Sequence, residues 1–214
     1  MTPADDTVVV LIHGLWMHGT VMSVIADRLE EHSVGEIQTY SYPSVSAGID
    51  ENVQRLGEFL TGLSHSRIDL VGHSLGGVIA LHTVLERKPE RIGRIVCLGS
   101  PLTDSSTARA LQEWPGGSSL LGDAIRDAVL NHPLTSWPGE PQAGMIAGDL
   151  AMGAGLLLNA LKGDNDGTVA VDETRLPGLT DHIVLPLSHT GMLLSSSVVE
   201  QTAHFLKHGC FKRD

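Results

Sequence analysis

The stretch from Ile68 to Leu85 restricts the folds open to this chain more than any other. Ile68-Asp69-Leu70-Val71 is a short, mostly apolar run that reads as a buried strand, and Val78 to Leu85 reads as a helix. Between them stands Gly72-His73-Ser74-Leu75-Gly76-Gly77, which contains the pattern G-x-S-x-G. A serine between such a strand and such a helix sits on a sharp, strained turn. The turn presses two backbones together, so side chains at 72 and 76 would collide and glycine is favoured there. It lifts the Ser74 hydroxyl above the sheet edge. It also aims the first free N–H groups of the helix at the same point. Alone, G-x-S-x-G recurs by chance in glycine-rich loops; the strand before it and the helix after it give it chemical meaning.

The remaining apolar runs supply a sheet for that turn. Val8 to Ile12 is continuous and largely β-branched, the mark of a strand buried on both faces. Further strands are expected over Ile37–Tyr40, Arg94–Leu98, Gly144–Ala147 and Ile183–Leu187. Helical spacing appears in Val53, Leu56, Leu60 and Leu63, and again in Val198, Val199, Thr202, Phe205 and Leu206. A helix carrying Val24, Ile25 and Leu29 is expected after Thr20, with Thr20 as its cap. Strands alternating with helices predict a parallel sheet with helices on both faces. Two segments exceed that alternation. Residues 101–142 hold a helix-like set (Leu120, Leu121, Ala124, Ile125, Ala128, Val129), and residues 149–163 hold Leu156-Leu157-Leu158 and Leu161. Both follow strands, whose carboxyl ends are where ligands bind in open α/β sheets. Each is open to two readings, a packing helix or a pocket wall.

Bulk properties narrow the partners. With 214 residues, 42% of them hydrophobic and 18% charged, residues 1–214 suit a single soluble domain. A net charge of −11 argues against nucleic acid and against an anionic membrane surface. The first residues carry no basic or apolar leader, and Val8–Ile12 is too short for a span. The expectation is a cytoplasmic protein with no stable membrane insertion. Cys97 and Cys210 are expected to be free thiols.

A serine hydroxyl is a poor nucleophile until a base takes its proton. In strand–serine–helix sites the acid and then the histidine follow the serine in the chain. Of the eleven histidines, His13, His18, His32, His65 and His73 precede Ser74. His82 belongs to the helix after Ser74, and His132 precedes the acid candidates. His182 starts a strand, and His204 and His208 belong to the last helix. His189, in Leu187-Ser188-His189-Thr190-Gly191, follows the sixth strand at the correct sheet edge. For the acid, Asp166 heads an Asp-Gly turn, Asp164 and Asp172 suit a loop and a helix start, and Asp149, directly after the fifth strand, is the rival. The acid fixes the imidazole tautomer and stabilises the imidazolium. An oxyanion needs two placed N–H donors. Leu75, next after Ser74, offers one; Leu15, after the first strand, offers the other, with Gly14 allowing the tight path. Trp16 and Met17 are candidates for an acyl pocket, or for the core.

His13-Gly14, Gly72-His73-Ser74-Leu75-Gly76-Gly77, Asp166-Gly167-Thr168-Val169 and His189-Thr190-Gly191-Met192-Leu193 stand in an order that resembles the α/β-hydrolase superfamily. Within it, the chain is similar to the small bacterial lipases and esterases. The run from Asp166 through Ser197 is similar to the end of the minimal Bacillus-type lipases. The resemblance implies an α/β-hydrolase fold of about six mostly parallel strands with minimal or no cap. The early antiparallel strand pair of larger hydrolases is absent from the pattern, and residues 149–163 are longer than the minimal pattern needs. It implies cleavage of a carboxylic ester through an acyl-enzyme on Ser74, Asp166 and His189, with a small-molecule or lipid-like ester as partner. No metal and no organic cofactor is implied, since the motif places of His13 and His73 account for both rings. Thioesters, amides and acyl transfer to an alcohol stay open on the same site. A non-catalytic binding protein on the same scaffold is the rival from another class.

Overall fold

A computed structural model describes residues 6–117, 122–152 and 160–213. Six strands form one sheet: β1 (Thr7–Ile12), β2 (Glu36–Tyr40), β3 (Arg67–His73), β4 (Ile92–Leu98), β5 (Gln142–Gly148) and β6 (Asp181–Leu185), in the order β2-β1-β3-β4-β5-β6. Every pairing between these strands is parallel. Among the described residues, five α-helices of seven residues or more connect or flank them: α1 (Ser23–Glu30), α2 (Ile49–Gly62), α3 (Leu75–Arg87), α4 (Ser106–Gln112) and α5 (Ser196–His208).

Alternation along the strands builds two cores, because successive side chains point to opposite faces. Val8, Val10 and Ile12 of β1 pack with Leu56 and Leu60 of α2 and Ile79 of α3. Val9 and Leu11 pack on the other face with Ile25 and Leu29 of α1 and Phe205 of α5. Gly144 in β5 makes room for the second core: a Cβ there would meet the Phe205 ring at 2.5–2.8 Å. The chain runs from β1 outward to β2, then returns across β1 to β3. That reversal puts a crevice at the carboxyl ends of β1 and β3, the usual place for a ligand in such sheets.

The first five strands are one to three residues longer than the apolar runs alone indicate. The exception is the last, which spans Asp181–Leu185 and not Ile183–Leu187. Pro186 has no N–H to donate, so the ladder stops before it. Thr20 does not cap α1. It lies inside a 3-10 turn, Gly19–Met22, and Met22 occupies the cap without a side-chain bond. Around Ile125 and Val129 the chain forms a helical turn, Asp123–Ile125, and then a π-helical segment, Arg126–Asn131. Leu120, Leu121 and Leu156-Leu157-Leu158 lie outside the described residues. Both cysteines are free, Cys97 buried in β4 and Cys210 exposed. Among the described residues no helix is long and apolar enough to cross a membrane.

Candidate active site

Ser74 stands between β3 and α3 at φ 54°, ψ −123°, a conformation unusual for a residue with a side chain. Such backbone strain costs on the order of 1–3 kcal/mol and persists only where the surroundings impose it. Here they do. The Ser74 N–H donates to Leu98 O at 2.8 Å, tying the turn to the end of β4. A Cβ on Gly72 would run into the backbone of Gly76 and Gly77, and one on Gly76 into Ile12 O. The two glycines of the motif are therefore steric requirements. Ser74 is 8% exposed, and that exposure faces a cleft.

Asp166 and His189 meet directly. His189 Nδ1 donates to Asp166 Oδ2 at 2.7 Å, with Asp166 1% and His189 7% exposed. The backbones join as well: His189 N–H donates to Asp166 O at 2.9 Å. The other carboxylate oxygen, Oδ1, accepts from Thr168 N at 2.9 Å and Val169 N at 2.7 Å. One carboxylate thus takes three N–H donors and has no rotational freedom left. Since the imidazole donates through Nδ1, a neutral His189 carries its free lone pair on Nε2. Asp149 directly follows β5 and is exposed, with no side-chain partner to His189.

Reaching Ser74 from β6 is a geometric problem. Two strands intervene, so β6 lies about 14 Å from β3 at ordinary strand spacing. The loops carrying Asp166 and His189 must cross the ends of β4 and β5, and a glycine ends the way at each. A Cβ on Gly99 would meet Asp166 Oδ2 at 3.1 Å and His189 Nδ1 at 3.2 Å. One on Gly148 would meet Asp166 Cβ at 2.9 Å and would strike Leu187 O. The sequence carries the signal, a glycine at the carboxyl end of each strand, but only the crossing explains it.

The loop after β1 lies against the serine turn. A Cβ on Gly14 would sit 3.1 Å from Ser74 Cβ. His13 holds this loop: its Nδ1 donates to Gly14 O at 2.8 Å, and its Nε2 accepts from Tyr42 N–H at 3.3 Å. The Tyr42 hydroxyl donates to His13 O at 2.8 Å, and the two rings stack at 4.4 Å. Burial holds the His13 imidazole below the usual histidine range. The Trp16 N–H donates to Ser44 Oγ at 3.2 Å. Tyr42 and Ser44 escape sequence reasoning, since both lie after β2. Leu15 lines the cleft, while Leu75 is fully buried and presents the first N–H of α3.

The cleft itself has a volume of about 400 Å³. Trp16 and Met17 line one side, and Ala108, Leu111, Trp114 and Ile125 line another. Of the two extra segments, the first therefore supplies a cleft wall through described residues between Pro101 and Trp114 and through Ile125, and Met152 brings the start of the second to the cleft as well. None of the described residues lining the cleft is Lys or Arg. Glu173, buried and missed by sequence reasoning, fastens this wall to the acid loop. Its Oε1 accepts from Ser106 N–H at the start of α4, and its Oε2 accepts from Ala170 N–H at 2.9 Å. Its backbone oxygen also accepts from Leu102 N at 2.9 Å.

Known proteins share this architecture. The mature form of Bacillus licheniformis lipase BlEst2 superposes with a TM-score of 0.78 at 18% identity, covering 97% of this chain and 93% of that one. A pimeloyl-[acyl-carrier protein] methyl ester esterase of Aeromonas salmonicida is 30% identical over 110 residues, 50% of this chain and 41% of the relative. Lipase LipV of Mycobacterium tuberculosis is 28% identical over 100 residues, 45% of this chain and 38% of the relative. The matches thus span about two fifths of these two relatives. The profile of the Alpha/beta hydrolase family matches residues 9–199, from β1 into the last helix. That span takes in most of β1, the other five strands and every described residue that lines the cleft, and the chain belongs to the alpha/beta hydrolase family.

Proposed function

We propose that this chain hydrolyses carboxylic esters of apolar acyl groups through an acyl-enzyme. The observation that carries the reading is the buried 2.7 Å bond from His189 to Asp166, beside a cleft that both His189 and Ser74 line. His189 Nε2 removes the proton as Ser74 Oγ attacks the ester carbonyl. The oxygen of the tetrahedral intermediate accepts hydrogen bonds from the Leu15 and Leu75 N–H groups. His189 then returns the proton to the leaving alcohol as the C–O bond breaks. Water, deprotonated by the same imidazole, releases the acid and restores Ser74. Asp166 holds the imidazole in the tautomer this needs and stabilises the imidazolium that forms twice per cycle.

The cleft bears on the substrate. About 400 Å³ is at the small end of ligand pockets, which run from about 300 to 1,000 Å³. Its apolar walls suit an uncharged acyl chain of short to medium length. One relative is named for an ester borne on acyl carrier protein. A chain of net charge −11, with no lysine or arginine on the described cleft lining, is better suited to free esters than to a protein-borne substrate of acidic character. A p-nitrophenyl ester series from acetate to palmitate tests this. Turnover is expected to peak at short to medium chains and to fall by about 10⁶-fold in Ser74→Ala. Near-normal turnover in Ser74→Ala contradicts the nucleophile, and a peak at palmitate contradicts the reading of the cleft.

A further inference from the structure

His189 must meet Ser74 although their strands are separated by β4 and β5. The backbone bonds that fix His189 run mainly to its own side of the site: its N–H goes to Asp166 O. One direct link reaches from the serine turn. His73, the residue before Ser74, places its Nε2 3.1 Å from the carbonyl oxygen of His189. A carbonyl only accepts, so Nε2 carries the hydrogen and donates it, and Nδ1 is the unprotonated nitrogen. The side chain is fully buried, and its ring lies 4.7 Å from the His189 ring, tilted by 48°. Nδ1 has no hydrogen-bond partner, so it contributes nothing that would fix the ring elsewhere. The ring instead fits against Gly14, where an added Cβ would approach Nδ1 to 3.1 Å.

We propose that His73 is a positioning residue that sets the distance between nucleophile and base, by donating from Nε2 to the His189 carbonyl across the two intervening strands. This rests on the reading of Ser74 and His189 as nucleophile and base. Backbone bonds tie Ser74 to β4 and His189 to Asp166. The His73 bond couples these two units, and one end of it is the peptide next to Ser74. Without it, the His189 loop keeps its acid but loses its reference to the serine. Burial keeps the coupling neutral, pushing the His73 pKa down to about 3, with the nearby His189 adding to the effect. His73 therefore brings no second positive charge beside an imidazolium forming on His189. A misplacement of about 1 Å between reacting groups is enough to cost on the order of 10²-fold in rate.

The test compares His73→Leu and His73→Gln with the wild type and with Ser74→Ala, using a short-chain p-nitrophenyl ester. Leu fills the space without a donor. Gln places an amide N–H close to where Nε2 stands. The expected result is a kcat lowered by about 10²-fold in His73→Leu, a KM within about twofold of wild type, and recovery of most of kcat in His73→Gln. Folded content is matched beforehand by circular dichroism, and His73→Gln alone decides the matter if His73→Leu does not fold. In that case a His73→Gln protein with kcat near wild type supports the proposal, and one as impaired as a triad variant overturns it. Equal kcat in folded His73→Leu and wild type overturns the positioning role while leaving the triad intact. Undiminished turnover in Ser74→Ala overturns the triad and this proposal together.

Discussion

At the amino end of β3, Asp69 is 2% exposed and accepts from Arg67 Nε at 3.0 Å and from Arg94 N at 2.7 Å. Arg67 and Arg94 both continue to Leu206 O, the last turn of α5, so these charges lash the final helix to the sheet. At the carboxyl end of the same strand, about 17 Å away, stand Ser74 and its cleft. Both ends bury an acid, but they use it differently. Asp69 is spent on neighbours that never change partner. Asp166 is bound on three sides by N–H donors, one of which belongs to an imidazole facing open space. The amino end spends its polar groups on cohesion. The carboxyl end arranges them toward a cleft and accepts a strained Ser74 in doing so.

The largest effect is expected at the acid of the carboxyl end. Asp166→Asn is expected to lower kcat by about 10⁴-fold, because the amide favours the wrong imidazole tautomer. Asp149→Asn is expected to change it little, since that carboxylate is exposed and outside the His189 bond. Steady-state kinetics of both variants on one ester decide between them. A crippled Asp149→Asn with a near-normal Asp166→Asn would move the acid to the end of β5.

The opposite behaviour is expected at the amino end. Asp69→Ala leaves the Arg94 N–H and the Arg67 guanidinium without their acceptor, which costs about 1–3 kcal/mol of stability. Turnover per folded molecule stays at the wild-type level. Urea unfolding and active-site titration measure the two quantities separately. A fall in turnover per active site would mean that the two ends are coupled.

How much of this division is legible in the sequence depends on how local each constraint is. The Gly72-x-Ser74-x-Gly76 turn is local: its glycines are required by atoms a few residues away, plus Ile12 O on the adjoining strand. Residue order points to His189 and the Asp166-Gly167 turn to Asp166, and the structure brings these two side chains to 2.7 Å, because chain order mirrors strand order from β3 to β6. The rest depends on distant pieces meeting. Gly99 and Gly148 look like ordinary strand ends until the loops that cross them are in place. Glu173 reads as one more acid on a short turn, yet it joins α4 to the acid loop. Tyr42 matters only because β2 lies beside β1, bringing it onto His13. Thr20 failed as a cap because a 3-10 turn precedes α1, a choice that apolar spacing does not encode.

A smaller effect is expected from pH. His73 is held neutral by burial, with its pKa pushed down to about 3, against about 6.5 in an unfolded chain. Below about pH 6.5 the unfolded chain binds a proton here that the folded chain does not. Stability from this group is therefore complete above that pH and is lost as pH falls from about 6.5 toward 3, by up to about 1.4 kcal/mol per pH unit. Glutamine does not titrate, so His73→Gln is expected to lose stability less steeply than wild type between about pH 6 and 4. Urea midpoints across that range measure the slopes. Parallel slopes would mean that His73 is not kept neutral by the fold.

Covalent capture tests whether the strained Ser74 at the carboxyl end is the nucleophile. A p-nitrophenyl alkylphosphonate places phosphorus where the ester carbon would sit, and attack by a serine oxygen expels p-nitrophenolate and leaves a stable adduct. Intact-mass and peptide analysis are expected to find one adduct per chain, on the peptide containing Ser74. Ester turnover is expected to fall in proportion to labelling, and Ser74→Ala to take up none. An adduct on another residue, or full turnover after Ser74 is completely labelled, would rule out Ser74 as the nucleophile.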